Sequence, residues 1–487
     1  MKNQKSLKLN FVMNAFLTMS SFIFPLITFP YVSRILLPVG TGKVSFATSI
    51  ISYFAMFAQL GIPTYGIRAC AKVRDNREEL TRTTQELFII NLIMSIIAYC
   101  FFFIILFLVP ELKEEKTLFI VISLTILFNT IGMEWLYKAL EQYSYITVRS
   151  IVFKFLALLA MFLLVHEKDD YVIYGGITIF ASSASSIFNF INIHKFIELK
   201  PIGNYHLKKH LKAVFIFFAM SCATTIYTHL DSVMLGFMRT NEDVGYYNAA
   251  IKIKTILVSI VTSLGVVLLP RASYYIENNL KTDFFRITKK ALNFVFLISF
   301  PLLLYFILFA KEGILFLSGN AYEEAIIPMQ ILMPTLLFIG LTNIMGIQML
   351  IPLGKENIVL YSEIAGAIVD LIINFLLIPK FSSTGAAIGT LIAEIIVWIV
   401  QYYFLKDLVY EGYKQINYLH IIVSLMSATC SSIWVKLLNY GNFLTLVLSA
   451  TLFFTIYISC LLMFKEPFLI EFVNQLKIKF SRICDNK

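Results

Sequence analysis

Leu87–Val109 reads LFIINLIMSIIAYCFFFIILFLV, a run of 23 residues without a single charge. As a helix rising 1.5 Å per residue it would be about 35 Å long, enough to cross a hydrocarbon layer of roughly 30 Å. Runs of this kind recur along the chain. The spacing predicts spans at roughly 11–33, 44–66, 87–109, 117–138, 146–165, 171–193, 213–238, 246–269, 291–310, 325–350, 358–378, 384–405, 419–437 and 443–464. Over the 487 residues, 58% are hydrophobic and 14% charged. A soluble chain could not hide that much apolar surface while covering itself with polar groups, so the solvent is lipid. The fold class expected is an all-α integral membrane protein of about fourteen helices.

Charge decides orientation. With the N-terminus cytoplasmic, the inner segments carry 28 Lys and Arg, the outer segments 8, and 4 fall inside spans, accounting for all 40. This positive-inside bias predicts both termini on the cytoplasmic side of the membrane. Met1–Asn10, with Lys2, Lys5 and Lys8, lacks a small-residue cleavage site after its apolar run and is read as leading into a retained first span. The formal charge of +10 needs no nucleic-acid partner, because an inner collar facing anionic lipid accounts for it. Six cysteines (70, 100, 222, 430, 460 and 484) form no CxxC pair and are read as reduced and structural.

The longest outer connection, around Lys311–Glu324, holds about a dozen residues and leaves no room for an external domain. The inner segments 67–86, 194–212 and 270–290 are longer and basic, and read as interfacial helices. A weak repeat relates Ser33-Arg34-Ile35-Leu36 to Ser232-Val233-Met234-Leu235, and GTGKVSFATSI (40–50) to EDVGYYNAAIK (242–252). The offset of about 200 residues contains an even number of spans, so both copies share an orientation, as in a parallel repeat of two six-helix bundles. The organisation expected is a lobe at 1–200, a second at 201–405, and two further helices with a basic cytoplasmic tail at 406–487.

Ionisable groups within spans cost about 2.5–3.5 kcal/mol each on insertion scales, so they mark candidate function. Asp231 in span 7 and Lys252 and Lys254 in span 8 lie at similar depth beneath the outer surface. A structural ion pair, a lumen-lining role and snorkelling all fit them. Asp370 and Glu394 lie near the midplane on spans 11 and 12, with Glu363 on nearly the same face as Asp370. Buried carboxylates of this kind are candidate H+ or Na+ coupling sites; the alternative is polar glue between helices. Lys154 lies inside span 5 and either lines a cavity or reaches back to the inner face. Arg34, Arg68, Arg149 and Arg271 stand at span ends, where arginine anchors to headgroups, although a guanidinium also suits a diphosphate. In GMEWLYKALEQY (132–143), Trp135 and Tyr137 resemble an interfacial aromatic belt, and Glu134 is out of place facing lipid. No nucleophile–base set, glycine phosphate loop or metal-ligand spacing occurs, and the six histidines do not cluster; only His229 lies well inside a span. An enzyme and a resident cofactor are not expected.

These residues carry a resemblance. FPLITFPYVSRILLPVGTGKVSFATSIISYF with LGIPTYGIRACAKVRD, then GMEWLYKALEQYSYITVRS, THLDSVMLGFMRTNEDVGYYNAAIKI, LLPRASYY and STGAAIGTLIAE, are similar to the Wzx-type polysaccharide repeat-unit flippases of the multidrug/oligosaccharidyl-lipid/polysaccharide exporter superfamily. At Leu37-Pro38 the chain departs from the family, which commonly has Gly before the Pro. The resemblance implies transport of undecaprenyl-diphosphate-linked oligosaccharides to the outer leaflet for capsule, exopolysaccharide or O-antigen. Arg34, Arg68, Glu134, Asp231 and Arg271 carry over by motif position, as cavity residues facing an anionic lipid-linked cargo. The partners implied are that cargo, membrane lipid, and a polysaccharide polymerase with export machinery. A small-molecule exporter of the same superfamily would instead need an acidic or aromatic cavity. A membrane polymerase would be expected to show a long outer loop rich in Arg and His, which this chain lacks.

Overall fold

The computed structural model describes residues 7–414 and 416–470, and all of its regular structure is helical. Lys2, Lys5, Cys484 and the basic tail after Ile470 lie outside the described residues. In chain order the helices are α1 (Leu7–Gln59), α2 (Ile62–Val73), α3 (Arg77–Leu108), α4 (Pro110–Glu114), α5 (Lys116–Gly132), α6 (Glu134–Ala139), α7 (Tyr143–Leu164), α8 (Tyr171–Ile179) and α9 (Ser186–Asn192). There follow α10 (Lys208–Met238), α11 (Asn241–Glu277), α12 (Lys281–Leu308), α13 (Ala310–Ser318), α14 (Ile326–Leu332), α15 (Thr335–Thr342), α16 (Glu356–Lys414), α17 (Tyr418–Ser432) and α18 (Asn442–Met463). Short π-helical turns occupy Phe180–Ala184 and Asn343–Leu350.

By length and composition, ten of the described helices can cross a membrane, or eleven when the bent pair at Asn320–Leu332 and Thr335–Leu350 is one span. Large apolar side chains face outward, with Leu108 74%, Leu437 81% and Met463 80% exposed, which only a lipid solvent tolerates. The two longest helices are bent hairpins. In α1 the break is at Leu37 (φ 57°, ψ 179°), and in α16 at Ser382 (φ 52°, ψ −131°), both in backbone regions that favour glycine. A glycine before Pro38 would adopt this backbone without strain, and here a leucine does so instead.

Local signals set several boundaries. The Asn76 side chain accepts hydrogen bonds from the Glu78 and Glu79 amides at 3.1 and 3.3 Å, and those two acids sit in the first turn of α3. Segment 194–212 is not the interfacial helix expected: residues 201–206 have no regular structure. Pro201 breaks a helix there, and Gly203 (φ 76°) and Asn204 (φ 52°) take left-handed backbone.

The chain forms two compact units, Met1–Asn248 and Ala249–Lys487. In the first, α1 packs against α3, α5, α7 and α10. One core gathers Ile62, Leu87, Leu136 and Val214; another gathers Val32, Leu36, Met161 and Val165. Within this unit the two repeat-related turns touch each other. A side chain on Gly42 would press into the Asn241 carbonyl, and one on Gly245 into the Pro38 carbonyl. In the second unit a core of Leu292, Phe309, Met345, Leu405, Phe453 and others is shared by α12, the Asn343–Leu350 turn, α16, α17 and α18. Tyr457 donates to the Leu297 carbonyl at 3.0 Å and Tyr305 to the Leu446 carbonyl at 2.9 Å, tying α18 to α12.

Candidate functional site

The first unit contains a cavity of about 350 Å³. The second half of α1 contributes Thr48, Ser52 and Gln59 to its wall, α5 contributes Thr125 and Asn129, and α10 contributes Ser221, Thr225 and His229. Ile51, Ala55, Met56, Pro63 and Ile122 supply apolar surface. Among the described residues, no Lys, Arg, Asp or Glu lines it. Thr48 and Ser52 return their hydroxyls to backbone carbonyls one turn back, at 2.7 Å each, as helical Ser and Thr do. His229 Nδ1 lies 3.3 Å from the Ser49 hydroxyl, which orients the ring. Among the described residues, Gln59, Asn129, Ser221 and Thr225 make no side-chain hydrogen bond, so their polar groups remain available to a ligand. Of these wall residues only His229 stood out in the sequence. Hydroxyls and amides inside spans carry no charge signal, and Ser or Thr in a membrane helix ordinarily bonds its own backbone.

On α10, Asp231 is buried and accepts a hydrogen bond from the Tyr247 hydroxyl. Lys252, Lys254 and Arg271 follow on α11, the lysines half-buried and Arg271 exposed. Arg34 is exposed and donates to the Pro30 carbonyl of its own helix; Arg68 is exposed on α2. Lys154 reaches from α7 to α1, donating to Ser20 Oγ and Ser21 Oγ at 2.9 Å each.

Glu134 begins α6 just after Met133, whose backbone is left-handed. Its carboxylate lies 2.9 Å from Lys138 Nζ and 3.5 Å from Arg149 Nη2. Arg149 is 8% exposed and also donates to Asn189 Oδ1, so it is a buried structural group and not the headgroup anchor expected at a span end. Trp135 and Tyr137 are likewise no interfacial belt. Trp135 covers Gly66, and Tyr137 donates to the Asn189 carbonyl at 2.6 Å. Both are buried because α6 packs on α2 inside the unit.

At the start of α3, Glu86 is fully buried. It accepts from the His206 amide at 2.7 Å, from Lys209 Nζ at 2.7 Å and from His210 Nε2 at 2.8 Å. A carboxylate only accepts, so Nε2 carries a proton. His210 Nδ1 meets the Tyr65 hydroxyl at 2.8 Å. This clasp joins α2, α3 and α10 through the irregular segment before α10, and no pattern in the sequence announces it.

In the second unit, Asp370 and Glu394 occupy the two arms of the α16 hairpin and are 1% and 5% exposed. Gln401 Nε2 donates to Ser362 Oγ at 3.0 Å. A side chain on Gly385 would lie 2.6 Å from the Leu377 carbonyl, and one on Gly389 would lie 2.9 Å from Asp370 Oδ1 and press on Asn374. These three contacts fix the antiparallel register, and in that register Asp370 is level with Glu394. Glu363 is half-buried two turns earlier. Among the described residues no three His, Cys, Asp or Glu side chains are grouped as a metal site.

A polysaccharide biosynthesis protein model matches residues 7–276, more than half of the chain. The chain belongs to this polysaccharide biosynthesis protein family. It is 26% identical over 408 residues to a protein of Escherichia coli (strain K12) named as an O-antigen transporter, covering 83% of this chain and 98% of that one. It is 24% identical to the capsular polysaccharide biosynthesis protein CapF of Staphylococcus aureus, over 65% of this chain and 81% of CapF. Among solved structures it resembles the lipid II flippase MurJ in an inward closed conformation, with a TM-score of 0.66, 16% identity and coverage of 91% and 98%. It also resembles an inward-facing multidrug resistance MATE family transporter of the MOP superfamily, with a TM-score of 0.63, 14% identity and coverage of 83% and 99%. This member of the family thus has the MurJ- and MATE-like transporter fold, and its E. coli relative is named as a transporter.

Proposed function

We propose that this protein is a flippase of the bacterial plasma membrane, moving undecaprenyl-diphosphate-linked oligosaccharide repeat units from the cytoplasmic to the outer leaflet by alternating access. The observation that carries this reading is the match to the E. coli O-antigen transporter over nearly all of that protein's length. The fold likeness to a lipid II flippase supports it. The cargo feeds a surface polysaccharide, and a polymerase consumes it on the outer side. Fourteen spans are reached when the two bent helices count twice and the bent pair and Lys116–Gly132 are added to the rest. From that even number and the inner excess of Lys and Arg we read both termini as cytoplasmic. We read the lobes as 1–200 and 201–405 with an appended pair at 406–487, on the repeat and on the meeting of its two turns.

Coupling belongs to the hairpin of α16. Two buried carboxylates at one level in low dielectric can hold a proton or share a monovalent cation. The arginines and lysines at 34, 68, 154, 252, 254 and 271, with Glu134 and Asp231, are our candidates for contact with the anionic cargo along the path. Deleting the gene should trap lipid-linked repeat units on the cytoplasmic leaflet, read by their inaccessibility to an outer ligase or lectin. Normal surface polysaccharide in a strain with no second flippase would refute the reading. Asp370→Asn with Glu394→Gln should abolish the ion dependence of transport; transport and ion dependence both intact would remove these residues from coupling.

A further inference from the structure

We infer that the cavity of the first unit is a saccharide-reading subsite, which recognises one sugar of the cargo by its hydroxyl or acetamido groups and takes no part in holding the diphosphate. The inference rests on the flippase reading. A diphosphate in low dielectric calls for guanidinium or ammonium groups, and this cavity has neither. Nor does it have a carboxylate, which a cationic cargo would require. What it offers is neutral groups that donate and accept. The Gln59 and Asn129 amides each present two donors and an acceptor, and the Ser221 and Thr225 hydroxyls present both. A pyranose has the same character, with a rim of hydroxyls that both give and take hydrogen bonds and faces of C–H groups.

The geometry matches that division. Half-buried polar groups project from three different helices, α1, α5 and α10, around one space. Groups from three directions can read the positions of several hydroxyls at once, whereas a row on one helix could not. Ile51, Met56 and Ile122 lie between them as apolar wall for the ring faces. A volume of about 350 Å³ is at the small end of the roughly 300–1,000 Å³ of ligand sites, so it admits a small part of a repeat unit. A site that hydrogen-bonds a hydroxyl rejects the analogue lacking it far more strongly than an apolar pocket rejects a missing methylene, because its own polar groups are left unpaired. Gln59, Asn129, Ser221 and Thr225 therefore act as specificity-determining residues, fixing which repeat unit is carried.

The test uses full-length protein in proteoliposomes with two probes: the lipid-linked saccharide pool extracted from a deletion strain, and undecaprenyl diphosphate without sugar. Gln59→Ala and Asn129→Ala should each weaken binding and translocation of the saccharide lipid about tenfold, the size of one lost hydrogen bond in a desolvated site. Binding of the bare diphosphate lipid should not follow that loss. Ser221→Ala, which removes one oxygen and little volume, serves if the amide variants fold poorly, and should cost about threefold or more. Wild-type translocation of the saccharide lipid with variants indistinguishable from it would overturn the subsite and leave the flippase standing. Equal loss for both lipids would also overturn it, assigning the residues to the helix framework. Failure of the wild type to move the saccharide lipid would sink the flippase reading and the subsite together.

Discussion

Glu86 has no exposure, yet three donors meet its carboxylate, two of them on side chains that carry or can carry positive charge. Removing a buried partner of this kind costs about 3–5 kcal/mol, chiefly through the groups left behind. Lys209 is 47% exposed and can return to water, so the loss for Glu86→Ala is expected near the lower end, about 3 kcal/mol. Thermal unfolding of the detergent-solubilised protein measures it, with Glu86→Gln losing less because its amide oxygen still accepts. An unchanged transition would mean that the clasp contributes nothing. Sequence depth picks out charges in the middle of spans, such as Asp370 and Glu394. Glu86 sits at the edge of an apolar run, where a carboxylate normally faces water, and only the fold of 198–210 over it makes it a buried group.

The two hairpin helices turn at side-chain-bearing residues in glycine-favouring backbone. Such positions store about 1–3 kcal/mol each. Ser382 has little to lose, since its hydroxyl is buried without a hydrogen-bond partner. Ser382→Gly is therefore expected to stabilise the protein by about 1 kcal/mol or more, seen as a raised melting temperature. Leu37 is half-buried, and losing its side chain offsets about 1 kcal/mol of the gain, so Leu37→Gly should stabilise less. A fall in melting temperature for Ser382→Gly would contradict the strain. Hydropathy located both arms of each hairpin, because length and apolar content are local properties. It could not show that Leu37 turns the chain without the expected glycine, or that 194–212 would unwind around Pro201 and Gly203.

On the scale of the molecule, two stretches some 200 residues apart in the chain, near 40 and 242, touch each other. Backbone meets backbone at Gly42, Asn241, Gly245 and Pro38, so no side chain can be absorbed there by a rotamer change. Gly245→Val should destabilise the protein by about 2–3 kcal/mol and cut transport at least in proportion to the folded fraction. Gly245→Ala should do so less, and a valine variant with wild-type melting and transport would show that the turns separate freely.

The sequence by itself determined the solvent, the helical class and the family, because each is written locally, in apolar runs and contiguous motifs. Only the tertiary structure decided which polar residues face a common space. Gln59, Asn129 and Thr225 come from helices far apart in the chain, and neutral side chains announce nothing until three helices bring them around one cavity.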